Sequence, residues 1–326
     1  VTVASTAPAR RRATGFLLRL VGSVVVLGAL AMWLPLDQLS AALTAVPSLL
    51  WLGCLFGFVA GHLAGAFKWY LLLNLTEVGL SYIQAVRFYF AGLFANLFLP
   101  SVAGGDVVRA GLVMRSQGSK EAVVFVSLVD RIIDTATLVV FVIVGAVSSR
   151  HKLSGGDAVV VGLVALAMMA AVTVAVVATM VPLPAWLPER ATKIQAEMRR
   201  AEAAIAGNPH RTLAAWSVSM SVQACFIFLT ALLGRECGIE LSAGAWLFSW
   251  PLAKLTAMIP ISLAGIGVRE AALAGFLGRF GVSAAPAVAL GLVWETILVT
   301  GSAGGGIVYA LTRRDDHDRR PVAADA

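Results

Sequence analysis

The sequence predicts an all-α polytopic membrane protein, with about six full transmembrane helices plus two re-entrant helical hairpins in an inverted repeat. Three observations carry this expectation. Of 326 residues, 59% are hydrophobic and only 13% are charged, whereas a water-soluble domain carries about 25% charged residues. Mean hydropathy is +0.86, and apolar runs long enough to cross a bilayer recur along the chain. Finally, one Pro-Gly break occurs twice, as "PSVAGGDVVR" at 100–109 and "PISLAGIGVR" at 260–269.

The chain divides into a short N-terminal segment, 1–15, a single transmembrane domain, 16–312, and a polar tail, 313–326, expected to be disordered. Arg10, Arg11 and Arg12 precede an apolar run from Phe16 to Leu34. That run is too long for a signal-peptide core and is followed by no convincing cleavage site, so it reads as an uncleaved first span at 16–36. Further full spans are expected at 46–73, 121–147, 157–181, 210–234 and 284–312. Two apolar helices, 83–99 and 243–259, each end at a proline. Each is followed by a Gly-rich break and a short second helix, 107–117 and 268–280. The loop 182–209 holds three prolines and then "ERATKIQAEMRRAEAAI", whose amphipathic pattern predicts a surface helix.

The two breaks align closely. Proline to arginine is the same interval in both, and Gly105 falls on Gly265. If each break is the tip of a hairpin that enters and leaves on one side, three full spans separate them, and the second copy is upside down. Inverted repeats near 83–147 and 243–312 are the architecture of many secondary transporters. The alternative is eight plain spans. The positive-inside rule chooses between them. With both termini in the cytoplasm, the hairpin arrangement leaves only Arg150, Lys152, Arg235, Arg269 and Arg279 outside, and sets Lys68, Arg131 and Lys254 within apolar segments. Eight plain spans would distribute the basic residues almost evenly. The net charge of +7 is thereby explained as membrane-flanking charge at a cytoplasmic (inner) membrane, which excludes a nucleic-acid partner.

Broken backbone within hydrocarbon is tolerated only where protein or a water-filled cavity surrounds it. Pro100 ends the first helix, Gly104 and Gly105 permit a turn, Asp106 is expected to cap the next helix, and Arg109 lies in its first turn. Pro260, Gly265, Gly267, Arg269 and Glu270 form the second copy. Free N–H groups at a helix start, together with a guanidinium, suit a phosphate. The plain alternative is that both arginines snorkel to headgroups. Asp130 lies about 14 Å into its span at helical rise, with Asp134 one turn on and Arg131 adjacent. Glu295 holds the repeat-equivalent place. These buried charges read either as a structural Asp–Arg pair or as a gate or a proton or cation relay. Lys68, near a helix end, is expected to snorkel, while Lys254 is deeper and its partner is not legible. Gly57, Gly61 and Gly65 form a small-residue packing seam, as does "GSAGGG" at 301–306, and His62 beside the first seam is read as structural. Cys54, Cys225 and Cys237 have neither disulfide nor metal spacing. No cofactor, metal ligand set or catalytic constellation is expected. The sequon at Asn74 falls on the cytoplasmic side.

"NLFLPSVAGGDVVRAGLVMR", "SLVDRIID", "PISLAGIGVREAAL" and "GLVWETIL" resemble the lysylphosphatidylglycerol synthase transmembrane-region family, also called flippase-like. The resemblance covers about 16–312. It implies a membrane domain that moves or presents a lipid, with Asn96 to Arg131 matching its first block and Pro260 to Glu295 its second. The full synthases carry a soluble aminoacyl-transferase domain after the membrane part. Only the polar residues 313–326 stand there in this sequence, so lysyl transfer is not expected. The implied partners are membrane lipids with an anionic headgroup, a phospholipid or a polyprenyl-phosphate-linked precursor. A homo-oligomer or a cell-envelope synthesis partner stays open, as do a membrane-embedded lipid-modifying or glycan-transfer enzyme and its accessory subunit.

Overall fold

The computed structural model describes residues 40–41, 44–76, 78–99, 104–116, 119–180, 189–259 and 265–318. The expected first span, Pro100, Pro260 and residues 319–326 lie outside them. The described residues form ten helices: α1 Ser48–Leu75, α2 Tyr82–Asn96, α3 Gly104–Ser116, α4 Lys120–Ser148, α5 Gly155–Met180, α6 Glu189–Ala206, α7 Pro209–Glu236, α8 Ala243–Thr256, α9 Val268–Gly278 and α10 Ala284–Asp318. Four are long and apolar enough to cross a membrane, namely α1, α4, α7 and the Ala284–Leu311 part of α10, and α5 holds a shorter apolar stretch, Gly155–Ala170. The all-helical membrane fold expected from the sequence is therefore present.

Local sequence explains the helix starts. Ser81 opens α2 with a capping box: its hydroxyl accepts from the Gln84 N–H, and the Gln84 side chain accepts from the Ser81 N–H at 3.1 Å. Ser119 caps α4 by accepting from the Ala122 N–H at 3.3 Å. Pro209 occupies the first turn of α7, where a missing N–H costs nothing. Asn74 of the sequon ties the α1–α2 turn together. Its amide donates to the Leu80 carbonyl at 2.9 Å, and its oxygen accepts from the Leu80 N–H at 2.9 Å.

Two apolar cores stack along α1. The N-terminal half of α1 packs with α7, α8, α9 and α10 around Phe58, Phe226, Trp250 and Trp294, where the two tryptophan rings meet edge to face at 5.0 Å. The C-terminal half packs with α2, α3, α4 and α6 around Trp69, Leu72, Val113 and Val126. The glycine seam works as expected: a Cβ on Gly61 would lie 2.6 Å from the Phe226 ring, and one on Gly301 would lie 2.6 Å from Phe58. The surface helix of the 182–209 loop is α6, which buries Ala201 and Ile205 and packs on α4 and α5.

Two expectations are corrected. The last helix continues to Asp318, so residues 313–318 extend it; nothing in "RRDDHD" breaks a helix already nucleated by the span before it. Asp106 is not the cap of its helix but lies inside the first turn of α3.

Candidate functional site

A cavity lies between the two cores, lined by described residues on both sides of the two Pro-Gly breaks. It has two overlapping lobes, each of about 140 Å³. The first reaches the α2–α3 break and is lined by Asn96, Gly105, Asp106 and Arg109, with Lys68 and Tyr89. The second reaches the α8–α9 break and is lined by Arg269, Trp250, Ala257 and Trp294. His62, Arg131, Asp134, Gln223 and Lys254 line both.

The first half-site is built by α1, α2, α3 and α4. Asn96, the last residue of α2, accepts from the Gly105 N–H at 2.6 Å. It thus performs the capping role expected of Asp106, satisfying one of the free donors of α3 from a neighbouring helix. A Cβ on Gly105 would lie 2.7 Å from the Asn96 side chain, and one on Gly104 would lie 2.7 Å from Leu99, so only glycine allows this close turn. Arg109 is 4% exposed. It donates to Asp130 Oδ2 at 2.6 Å and lies 3.0 Å from Asp106 Oδ1. Its guanidinium sits 4.7 Å from the Trp69 ring centre and 5.0 Å from that of Tyr89, a cation–π pocket. The other oxygen of Asp130 is 2.9 Å from Lys68 Nζ, which also contacts Asp134. Asp134 further accepts from the Ser219 hydroxyl at 2.6 Å, and Arg131 pairs with Asp106.

The second half-site is sparser. Gly265 and Gly267 both have φ of +84°, a left-handed backbone that glycine adopts without strain. The Glu270 side chain accepts from the Gly267 N–H at 2.6 Å, closing the start of α9. Arg269, 6% exposed, donates to Glu295 Oε2 at 2.6 Å. Arg109–Asp130 and Arg269–Glu295 are thus the same arginine–carboxylate pair in the two copies. Lys254 of α8 donates to the Gln223 side-chain oxygen at 2.8 Å and lies 5.3 Å from the Phe226 ring centre.

These contacts correct three expectations. Asp130 and Arg131 do not pair, because successive helix residues point about 100° apart; each turns to a different helix. Lys68 does not snorkel but is 2% exposed and bridges two carboxylates. Neither Arg109 nor Arg269 is a snorkelling flank charge or a bare anion receptor, since each is buried against a carboxylate. Sequence reasoning also missed Trp69, Tyr89, Ser219 and Gln223. The first of these carried a weak signal, as the neighbour of an intramembrane lysine.

No curated protein and no solved structure matches this chain. A family model described as "Lysylphosphatidylglycerol synthase TM region" matches residues 18–303, which include both breaks and all of the charged residues just described. The chain therefore belongs to the lysylphosphatidylglycerol synthase transmembrane-region family.

Proposed function

We propose that this protein moves an anionic lipid headgroup across the cytoplasmic membrane, passing it through the central cavity between two inverted half-sites. Its family is named for a lipid-modifying synthase's membrane region, which supports a role on membrane lipids. In this reading α2–α3 and α8–α9 are re-entrant hairpins. Their helices have 15, 13, 14 and 11 residues, or about 16–22 Å each at helical rise, short of a hydrocarbon core of about 30 Å. The termini are cytoplasmic, so the hairpins enter from opposite leaflets and bring Gly105 and Ala257 to the cavity.

One observation carries the proposal. Of the five cations lining the cavity, Lys68, Arg109, Arg131 and Arg269 each contact a carboxylate, whereas the described partners of Lys254 are an amide oxygen and an aromatic ring. A lysine kept charged in a membrane interior needs an anion, and a phosphate supplies one. The paired arginines on either side then offer forked donors, each exchanging its carboxylate for the phosphate as the headgroup passes. The substrate is an anionic phospholipid or a polyprenyl-phosphate-linked lipid.

The test is reconstitution into vesicles carrying fluorescent phosphatidylglycerol or a labelled polyprenyl phosphate. Leaflet exchange of an unchanged lipid is expected, and Lys254→Gln should abolish it while the protein keeps its abundance and its thermal stability. A chemically modified lipid would instead establish the membrane-embedded enzyme, and exchange that persists in Lys254→Gln would remove the anion-docking role.

A further inference from the structure

We infer that Asp134 and Lys254 form an acceptor–donor pair that holds one headgroup at two points, and that the headgroup is a phosphate ester bearing a hydroxyl on its second carbon. The inference deepens the translocation reading above and rests on it for the lipid; the pair itself stands on the geometry alone.

The pair is built on α7. Ser219 and Gln223 are four residues apart, so they share one face of that helix, about 6 Å apart along its axis. Both are buried. Ser219 donates its hydroxyl to Asp134 Oδ1 at 2.6 Å. Gln223 accepts from Lys254 Nζ at 2.8 Å. One helix face thus holds a carboxylate from α4 and an ammonium from α8 as neighbours. Asp134 and Lys254 line both lobes of the cavity, yet among the described residues no ion pair joins them. Opposite charges in a membrane interior pair when they are free to do so. Here each is held back by its own α7 residue.

Each member keeps unused capacity. The hydrogen bonds that Asp134 accepts, from Lys68 and from Ser219, both go to Oδ1. Oδ2 has no hydrogen bond among the described residues, and the side chain is 30% exposed. An ionised carboxylate oxygen only accepts, so Oδ2 takes a donor. An ammonium has three N–H donors, and the described partners of Lys254 are the Gln223 oxygen and the Phe226 ring, so it takes an acceptor. A ligand that satisfies both carries an anion and, close by, a donor. A phosphate ester with no second polar group would leave Oδ2 unpaired and set it against the phosphate.

The donor is a hydroxyl and not an ammonium. Lys68 already contacts Asp134 and lies 2.9 Å from Asp130, so a second ammonium at Oδ2 meets a like charge. A hydroxyl meets none, and Ser219 already places one on this carboxylate. The carbons between phosphate and hydroxyl face an aromatic wall: Phe226 lines both lobes, and Trp250 and Trp294 line the second. A few fixed polar groups in an aromatic lining is the usual build of a small-ligand site. Two lipid classes carry this chemistry. One is a glycerophospholipid with a polyol headgroup. The other is a polyprenyl phosphoglycoside, whose ring hydroxyl stands next to the anomeric carbon.

Two measurements on the full chain test the pair and the lipid separately. In detergent micelles, thermal stabilisation should give glycerol phosphate an affinity about ten- to a hundredfold above that of methyl phosphate, the worth of one hydrogen bond to a charged group. The preference should vanish in Asp134→Asn, whose oxygen stays with Lys68 and Ser219 and whose amide nitrogen, a donor, replaces Oδ2. The comparison is between two ligands on one protein, so loss of folded protein does not alter it. Equal affinity for the two phosphates, binding of neither, or a preference unchanged in Asp134→Asn overturns the pair. In vesicles, wild type should exchange phosphatidylglycerol faster than phosphatidylmethanol, or a polyprenyl phosphohexose faster than bare polyprenyl phosphate, and whichever preference is seen identifies the lipid class. Equal rates within both comparisons overturn the hydroxyl, and phosphatidylethanolamine moving faster than phosphatidylglycerol replaces it by an ammonium. A hydroxyl preference in micelles with no lipid exchange would leave the pair standing and sink the translocation reading.

Discussion

Replacing Lys68 by Met should destabilise the fold by about 3 kcal/mol, and removing the charge of Asp134 as well should recover most of that. Lys68 Nζ lies 2.9 Å from Asp130 and contacts Asp134. Methionine keeps much of the stem's packing while deleting the charge. Asp130 would retain Arg109 at 2.6 Å, but Asp134 would keep only the Ser219 hydroxyl beside the more distant Arg131. Breaking a buried pair costs about 3–5 kcal/mol, because one charge is left behind. The Asp134 side chain is 30% exposed toward the cavity, so water screens part of the loss, which sets the lower end of that range. Charge counting supplies the second half of the prediction. The cluster is neutral in wild type, negative by one in Lys68→Met, and neutral again in Lys68→Met with Asp134→Asn. The double variant should therefore be more stable than Lys68→Met alone, with a coupling of about 1.5–3 kcal/mol. Reversible unfolding in detergent micelles measures all four corners of the cycle. Additivity within about 0.5 kcal/mol would refute the reasoning and return Lys68 to the snorkelling lysine the sequence suggests.

Four other outcomes follow. Gly145→Ala should cost about 1–3 kcal/mol, since its Cβ would lie 2.6 Å from the Leu247 backbone of α8; Gly162→Ala, with nothing within 4 Å, should be neutral or stabilising, and equal melting temperatures for the two would contradict the close α4–α8 approach. Asn96→Ala removes the cross-helix cap of α3 and should cost about 0.5–2 kcal/mol, with Asn96→Asp retaining more stability than Ala in the same unfolding assay. In a background without reactive cysteines, Ser119→Cys should react with an impermeant maleimide from the cytoplasmic side and Ser283→Cys from the outside, labelling of both from one side being incompatible with the inverted repeat. The native Cys237 should stay unlabelled at neutral pH: it is buried, and burial together with Glu236 pushes its thiol up to about 11, so little thiolate is present below that value.

The helices were legible because membrane solvent makes their signal strong. The interval from Lys120 to Ser148 reads as a span on hydropathy alone, and the α6 helix reads on the alternation of its charged and apolar faces. The recurrence of Pro, Gly and Arg at one spacing, on which the repeat expectation rests, was legible too. What sequence could not show was which charge meets which. Asp130 and Arg131 are adjacent in the chain and so look like a pair, yet helical geometry sends them to α3 residues three apart, Arg109 and Asp106. Lys68 looked close enough to a helix end to snorkel, because a sequence gives depth along a helix and not the direction a side chain faces; its face packs against α4. The cap of α3 was assigned to the nearest acidic residue, whereas Asn96 supplies it from across the break. All of these errors concern contacts between helices, the step at which local pattern gives no guidance.

If the protein translocates a headgroup as proposed, the distribution of those contacts bears on which part gives way. The α2–α3 hairpin is fastened to α4 by Arg109 to Asp130 and by Asp106 to Arg131. The same arginine is enclosed by Trp69 and Tyr89, and its tip is tied internally by Asn96. The α8–α9 pair meets α10 through the ion pair Arg269–Glu295 and through Leu273 and Leu277 of the apolar core. In the proposed translocation, a phosphate that reaches Arg109 must displace two carboxylates and two aromatic faces at once, so the first half-site is costly to open and its wiring favours the state in which α3 stays docked on α4.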